Sequence, residues 1–576
     1  MKRSNIASAV NQNGGRCNPN LSHKVLATTK IGQLLPIFHQ ETVPGDTVKL
    51  HSSMFCRTLP LSVPSYVNLV YRTMSVFVPY HQVADGVESF FANEATYRGV
   101  GNRIPLLTLY FIRQFFLRSE ISTTTGASSS NYDLYIKGST STQDKYVLLT
   151  ALGRYAMKVF HLLGYRFDKV LDLATQSSQG KQYNALPLLA MAHAYNSFMS
   201  YSPTQNGSQL SLALENGKRT ANWVLTDTVL YTIFSSLLVT YEDSYFSTLW
   251  KTPFASNSTF SYAGLKQVSD LQKYAANSVS DQSNMRYGDQ SGLTTHLPNV
   301  SDTPNMTASQ VRLLLKFDDF FRRSQYAGSK DIEKIYSQFG VKIDDYRTRY
   351  PYFLNETSKS VNIGDVTSTA DSGEAKVGSY AGKAIGDGDA GFEYHSSDYG
   401  MLFTFAWFAP KPMFYTGVDK ENLRLQPFDF YTPQLDQNLA VPVQYEQFFA
   451  EGNPIARTTV FGYEPLYLEY LYHNDYIVGD FETRADFTPW HFGFRKPFDT
   501  VGTITAQDDS LVYMPNTGTE FERIFMIDNT ELLDVDTLYI TIDNDCRASR
   551  PMRDMTGKLG LGDGDVEVNI NGSEVH

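Results

Sequence analysis

The chain predicts a mainly β fold, one sandwich whose loops are greatly enlarged. Three observations carry this expectation. Strand-like runs fenced by proline gather at both ends of the chain, and helical periodicity is confined to the middle. Tyrosine equals phenylalanine at 37 residues each in a chain that is 42% apolar and only 19% charged. Tyrosine suits surfaces that are buried yet must satisfy a hydroxyl. A length of 576 residues suggests roughly four domains at about 150 residues each, but all-β units with long insertions exceed that size, so length leaves the domain count open.

The first forty residues hold Lys2, Arg3, Arg16, Lys24 and Lys30 with no Asp or Glu. Such a Gly/Asn/Ser-rich arm reads first as a solvated terminus and second as a phosphate contact. DTVKLHSSMFCRT at 46–58 and YVNLVYRTMSVFVP at 66–79 alternate or are β-branched, and read as strands. Val83, Val87, Phe90 and Phe91 recur at helical spacing in 81–93 and predict a short capping helix. Further helices are expected over 145–163, 309–327 and 331–340. The threonine-rich apolar run at 228–241 is shorter than the roughly 20 residues of a spanning helix and reads as a core or interface strand pair.

Segments 119–131, 255–307 and 355–400 are rich in Ser, Asn, Gly or Asp and read as long loops. From 401 onward strand signals return at 401–410, 458–465, 475–481, 509–515, 522–529 and 536–544.

Catalytic signatures fail one by one. The eleven histidines form no HExxH or HxH, and His161 and His193 read as ordinary helix-face residues. GDGDAG at 386–391 satisfies GxGxxG but has no strand before it or helix after, so it reads as a chance hit in a loop. GSYAGKA at 378–384 is one residue short of a phosphate loop, and Ala384 stands where a magnesium-binding hydroxyl is needed. EVNING at 567–572 resembles only the first half of a calcium loop and reads as an exposed acidic tail. Asp318–Asp319 and Asp344–Asp345 read as solvated helix faces. Asn257, Asn299 and Asn355 begin Asn-x-Ser/Thr triplets, but no apolar signal core stands at the N-terminus. Cys17, Cys56 and Cys546 lie far apart, which indicates neither a disulfide framework nor zinc and suits a reducing cytoplasm.

One aromatic stretch demands an explanation. FGYEPLYLEYLYHNDYIVGDF at 461–481 packs Tyr463, Tyr467, Tyr470, Tyr472 and Tyr476 together, and its charges, Glu464, Glu469, Asp475 and Asp480, are all acidic. A base-stacking groove wants cations beside its rings, so that reading is weak. A sugar-binding wall and a surface buried against another subunit stay open, as does the monomer's own core.

Several phrases then resemble, in order, the major capsid protein of microviruses, the small icosahedral single-stranded DNA phages, especially the gokushovirus-like branch. LSHKVLATTKIGQLLPIFHQETVPGDTVKL at 21–50 looks like the family's opening, with Asp46 after Pro44 and Gly45. FVPYHQVADGVESFFAN at 77–93, YNALPLLAMAHAYNSF at 183–198, YEDSYFSTLWKTPF at 241–254 and FGVKIDDYRTRYPYFL at 339–354 continue it. AGKAIGDG, FEYHSSDYG, VFGYEPLYLEYLY and RASRPM at 547–552 complete the run. Residues 1–20, 199–240 and 255–307 match no phrase of the family and are the expected places for a surface protrusion or a contact to another viral protein.

The resemblance implies a single eight-stranded jelly roll with large helical and loop insertions. Its expected layout is a basic arm at 1–40 and one capsid domain over 41–576, with insertions at about 80–400 and C-terminal strands at about 401–545. It implies a non-enzymatic shell protein without cofactors, sixty copies of which enclose a single-stranded DNA genome in a virion assembled in a bacterial cytoplasm. Other viral structural proteins and a host surface receptor are further expected partners, and no membrane is. The five tyrosines are expected at a subunit interface. Net charge is −11, so DNA contact must come from local cations: Lys2, Arg3, Arg16, Lys24 and Lys30, and Arg547, Arg550, Arg553 and Lys558 near the C-terminus. The competing reading of those arginines is pairing with acids of a neighbouring subunit. The rival from another class is a cytoplasmic carbohydrate-binding or carbohydrate-active β-sandwich with a catalytic carboxylate pair.

Overall fold

A computed structural model describes residues 16–85, parts of 87–172, 182–199, scattered positions in 210–249, Lys316, 350–367, 380–433, 440–448, 460–493, 521–526 and 535–551. Nine strands build its centre: β1 His23–Thr29, β2 Leu35–Thr42, β3 Thr47–Thr58, β4 Leu69–Pro79, β5 Tyr352–Ser360, β6 Asn362–Thr367, β7 Tyr380–His395, β8 Gly400–Pro410 and β9 Leu538–Ser549. They form two antiparallel sheets, ordered β1-β9-β3-β7-β6 and β5-β4-β8-β2. The pairs nest: β1 with β9, β2 with β8, β3 with β7, β4 with β5. Successive nested pairs fall in opposite sheets, and β9–β3 and β8–β4 ladders join them. This is the jelly-roll connectivity, a long antiparallel ribbon folded over itself, with β6 added at one edge.

The alternation of β3 fixes which way its sheet faces. Val48, Leu50, Ser52, Met54, Cys56 and Thr58 are buried, while Lys49, His51, Ser53, Phe55 and Arg57 are exposed. That sheet is therefore packed on one side and solvated on the other. β8 differs, since all eleven of its residues are buried. Its outer side lies under three helices, α3 Ala151–Leu162, α4 Leu186–Phe198 and α5 Asp227–Ser236, of which α4 packs on β4 and β8 and α3 on β2. Phe160 of α3 meets Phe234 of α5 at 5.0 Å between ring centroids, and the Tyr155 hydroxyl donates to Leu34 O at 2.8 Å. Ahead of these, α1 Tyr80–Val83 and α2 Val87–Phe91 follow β4, in place of the single short helix expected there.

Several sequence expectations are corrected. The helix expected over 145–163 is a strand at Lys145–Leu149 followed by α3, with Thr150 capping the turn by accepting from Gly153 N at 3.0 Å. The strand pair expected at 228–241 is the helix α5, because Val229, Leu230, Ile233 and Phe234 share one helical face, and Thr232 satisfies its hydroxyl on Thr228 O at 2.8 Å. The loop expected over 355–400 is largely β5, β6 and β7. GDGDAG lies inside β7: Gly382, Ala384, Gly386, Gly388 and Ala390 turn inward while Lys383, Ile385, Asp387 and Asp389 turn out. The small inward residues make room for Tyr71 of β4, and a Cβ on Gly388 would sit 2.4 Å from Tyr71 Cε1.

No strand forms at 475–481, where Gly479 turns the chain at φ +75° into a one-turn helix, Asp480–Thr483. The described part of 522–529 begins with a 3-10 turn, Glu522–Ile524, instead of a strand. Of the loop expected at 119–131, residues 119–122 belong to a strand, Leu117–Ser122. Apart from Lys316, which is helical, the expected helix at 309–327 lies outside the described residues, as do the helix at 331–340, the loop at 255–307, the strand at 509–515, both Asp pairs and EVNING.

Candidate subunit and nucleic-acid interfaces

The tyrosine stretch begins on a short strand, Val460–Pro465, paired with Ala440–Gln444, and its rings divide into two groups. Glu464 is fully buried and holds Lys420; the Tyr245 hydroxyl donates to the same carboxylate. Burial raises the Glu464 carboxyl above the ordinary range, against the pull of Lys420. Lys420 also reaches Glu469 at 3.3 Å, and Arg424 lies 3.6 Å from Glu469 on its other side. Tyr472 stacks on Tyr245 at 4.5 Å, and burial, then Asp475 and Asp419, push its phenol up to about 12. Tyr467 is buried at a left-handed φ of 68°, donates to Phe430 O and accepts from Thr432 N, both at 3.2 Å. Tyr463 is half-buried. The rings of Tyr467 and Tyr472 thus brace their own subunit.

The other two face outward. Tyr470 is 46% exposed with the Arg424 guanidinium 4.1 Å over its ring, and its hydroxyl accepts from Tyr431 N at 3.1 Å. Tyr476 is 59% exposed and donates to Asp419 Oδ2 at 2.7 Å. Around them Leu425, Phe430, Tyr431, Leu471 and Val478 are exposed as well. An apolar group of this extent, held on a fixed polar scaffold, is the kind of surface that proteins bury against other proteins.

The two cationic segments, more than 500 residues apart in sequence, meet. β1 and β9 pair from His23↔Asn544 to Thr29↔Leu538, and isolated bridges extend the seam through Asn20↔Arg547 to Cys17↔Arg550. Arg16 crosses it, donating to Ser549 Oγ at 3.1 Å, Ser549 O at 2.9 Å and Gly45 O at 2.8 Å, all uncharged acceptors. Arg550 folds back onto the buried Asp46 at 3.5 Å and donates to Glu41 O at 2.9 Å. Arg547 lies within β9, whereas Arg550 follows its end and takes as its acid partner Asp46 of its own chain. Lys30 stands at the β1–β2 turn beside the buried Glu522, whose carboxylate accepts from Ile31 N at 3.2 Å and whose acid is pushed up to about 7, chiefly by burial. Lys2, Arg3, Arg553 and Lys558 lie outside the described residues.

Arg547 and Lys24 point from the solvated sheet face, with side chains 79% and 64% exposed. Register adds residues that the two linear segments did not contain. Lys49 stands directly opposite Arg547, and His51 opposite Asp545; Arg57 is exposed farther along β3. The period-two alternation of 47–58 held that signal. Acids temper the field: Lys24 pairs with Asp543 at 3.2 Å, Lys49 with Glu393 at 3.4 Å, and Arg547 stands 3.9 Å from Asp545. The three cysteines are free; burial pushes the Cys56 thiol up to about 12 and the Cys546 thiol up to about 11, so both serve as core residues.

Comparison with known proteins points one way. A family described as "Capsid protein (F protein)" matches residues 7–106 and 167–553. "Capsid protein VP1" of Chlamydia phage 1 is 21% identical over 524 residues, covering 82% of this chain and 85% of that protein. The protein of the same description from Bdellovibrio phage phiMH2K is 21% identical over 475 residues, with 81% and 82% covered. That of Spiroplasma virus 4 is 20% identical over 498 residues, with 83% and 84% covered. The family match breaks at 107–166, a stretch the sequence reading did not single out as a departure.

Proposed function

From the premise that this chain belongs to the phage capsid protein (F protein) family, we propose that it forms the shell around a single-stranded DNA genome, sixty copies to an icosahedral particle. Membership makes it a structural protein of the virion and not an enzyme, so the carbohydrate-active reading is set aside. The observation that carries the proposal is the extent of the family match, which includes all nine strands of the double sheet.

In this reading the capsid domain takes in β1 and β2, which fall largely within the stretch expected as a basic arm, and assembly takes place in the bacterial cytoplasm. Tyr470 and Tyr476, with Leu471 and Val478, enter a contact between neighbouring subunits; Tyr463, Tyr467 and Tyr472 shape that surface from behind. Arg16, Lys24, Arg547 and Lys49 form the described part of the DNA contact, joined by Lys2, Arg3, Arg553 and Lys558 from the adjoining segments. Arg550 and Lys30 support the contact by holding the seam and the β1–β2 turn. Other viral structural proteins meet the shell through segments such as 199–240 and 255–307, one of which also faces the host receptor.

Electron microscopy of the expressed chain tests the reading, with closed particles of uniform size expected. Arg547→Gln with Lys49→Gln should leave empty shells intact while lowering packaged DNA and flattening the salt dependence of DNA binding. Shells that fall apart with an unchanged salt slope would make these cations subunit ion pairs instead.

A further inference from the structure

Two aromatic rings project from the open sheet into solvent. Phe55 of β3 is 38% exposed and Tyr539 of β9 is 41% exposed, and among the described residues neither meets another aromatic ring. Their strands pair in the interior of the five-stranded sheet, between β1 and β7. The register sets Tyr539 directly opposite Arg57, two residues on from Phe55, so the two rings are diagonal neighbours with Cβ atoms about 7 Å apart. The Arg57 guanidinium leans over the Phe55 ring at 5.3 Å.

The charges beside the rings are positive. Arg57 and Lys383, the latter two residues from Ile385 on β7, are exposed, and among the described residues neither is matched to a carboxylate. Asp387 stands opposite Phe55 on β7, but Lys359 holds it at 3.4 Å. The cations that a base-stacking surface needs beside its rings, missing from the sequence of 461–481, are therefore present here. Leu26 and Ile385 add exposed apolar surface on the same face, Leu26 opposite Thr541 and Ile385 opposite Arg57.

A protein partner would also cover exposed rings. What favours nucleic acid is the combination of two rings on adjacent inner strands with two unmatched cations, the arrangement by which a four-stranded sheet stacks the splayed bases of single-stranded RNA. The same face carries Lys24, Lys49 and Arg547 farther along its strands.

We propose that Phe55 and Tyr539 form a platform on which unpaired bases of single-stranded DNA stack, with Arg57 and Lys383 meeting the phosphates beside them. This rests on the reading of the open face as the DNA contact and adds to it a contact with bases. Phosphate pairing alone serves single and double strands alike, whereas a stacking platform selects a strand whose bases are free.

The test compares two probes on the full-length chain over a range of salt: an oligothymidylate, and an abasic deoxyribose-phosphate chain of equal length. The parent should bind the oligothymidylate at least about tenfold more tightly. Phe55→Ala with Tyr539→Ala should abolish that preference while leaving abasic binding and the salt slope unchanged, and Phe55→Tyr with Tyr539→Phe should keep it. Arg57→Gln with Lys383→Gln should weaken both probes and flatten the slope. Equal binding of the two probes by the parent, or a preference that survives the double alanine change, would overturn the platform and leave the phosphate contact of Lys24, Lys49 and Arg547 standing. A parent that binds neither probe would overturn the DNA reading of the whole face, and the platform with it. Failure of the double alanine variant to form particles, with its base preference intact, would assign the rings to a neighbouring subunit instead.

Discussion

The two sheets of the sandwich share one hydrogen-bonding scheme and differ in what lies outside them. In the sheet that holds β8, helices cover the outer face and an eleven-residue strand is buried throughout. In the sheet that holds β3, every second residue meets solvent, and those residues are Lys49, His51, Ser53, Phe55 and Arg57. Pairing alone thus does not decide what a sheet contributes. The covered sheet supplies stability, and the open sheet supplies a surface whose chemistry can change at little cost to the fold.

The widest gap between the two should appear with matched aromatic truncations. Phe405→Ala, at a fully buried position of β8, should cost about 3–5 kcal/mol in chemical denaturation. Phe55→Ala, on the open face at 38% exposure, should cost less than about 1 kcal/mol. Similar losses would mean that the open face is packed in the isolated subunit.

Next comes a titration at the edge of the core. Glu522 is buried and its acid is raised from 4.5 to about 7. Between those two values the folded chain keeps a proton that the unfolded chain has released. Stability should therefore fall as pH rises through that window, by up to about 3 kcal/mol above it. Glu522→Gln should remove this component, seen as a flatter stability profile from pH 4 to 8.

The smallest contrast sets two ion pairs side by side. Arg550→Met strands the buried Asp46 and should lose about 2 kcal/mol, part of which Asp46→Asn in the same chain recovers. Lys24→Gln breaks an exposed pair with Asp543 and should change stability by less than about 0.5 kcal/mol. Calorimetry of the two variants under one buffer ranks them.

Two strands of each sheet were legible in sequence, β3 and β9 in the open one and β4 and β8 in the covered one, and the reason is alternation or a continuous apolar run. Residues 47–58 announce both the strand and its exposed cations, and 536–544 announce β9. β7 was hidden because its inward positions are Gly and Ala, which carry no hydrophobic signal although Tyr71 fills the space they leave. Helix α5 was hidden by adjacent apolar pairs and threonines that suit a strand equally well. The Asp46–Arg550 pair joins residues 504 positions apart, and no local pattern can announce such a partner. The tyrosines were legible as a group, but which of them turn inward depends on Tyr245, Lys420 and Asp419, all distant in sequence.

The β1–β9 seam also sets a schedule. The first strand finds its partner only after more than 500 further residues have been made. At roughly 5–20 residues per second, ribosomal synthesis leaves β1 waiting about 25–100 s for its neighbour. β2 and β8, β3 and β7, and β4 and β5 have shorter separations, so the double sheet can close from its middle outward while the chain emerges, and the termini zip last. A chain arrested before residue 538 would carry eight of the nine strands with β1 unpaired and the edge of β3 bare, a form suited to capture by a chaperone and unable to complete the wall of a shell.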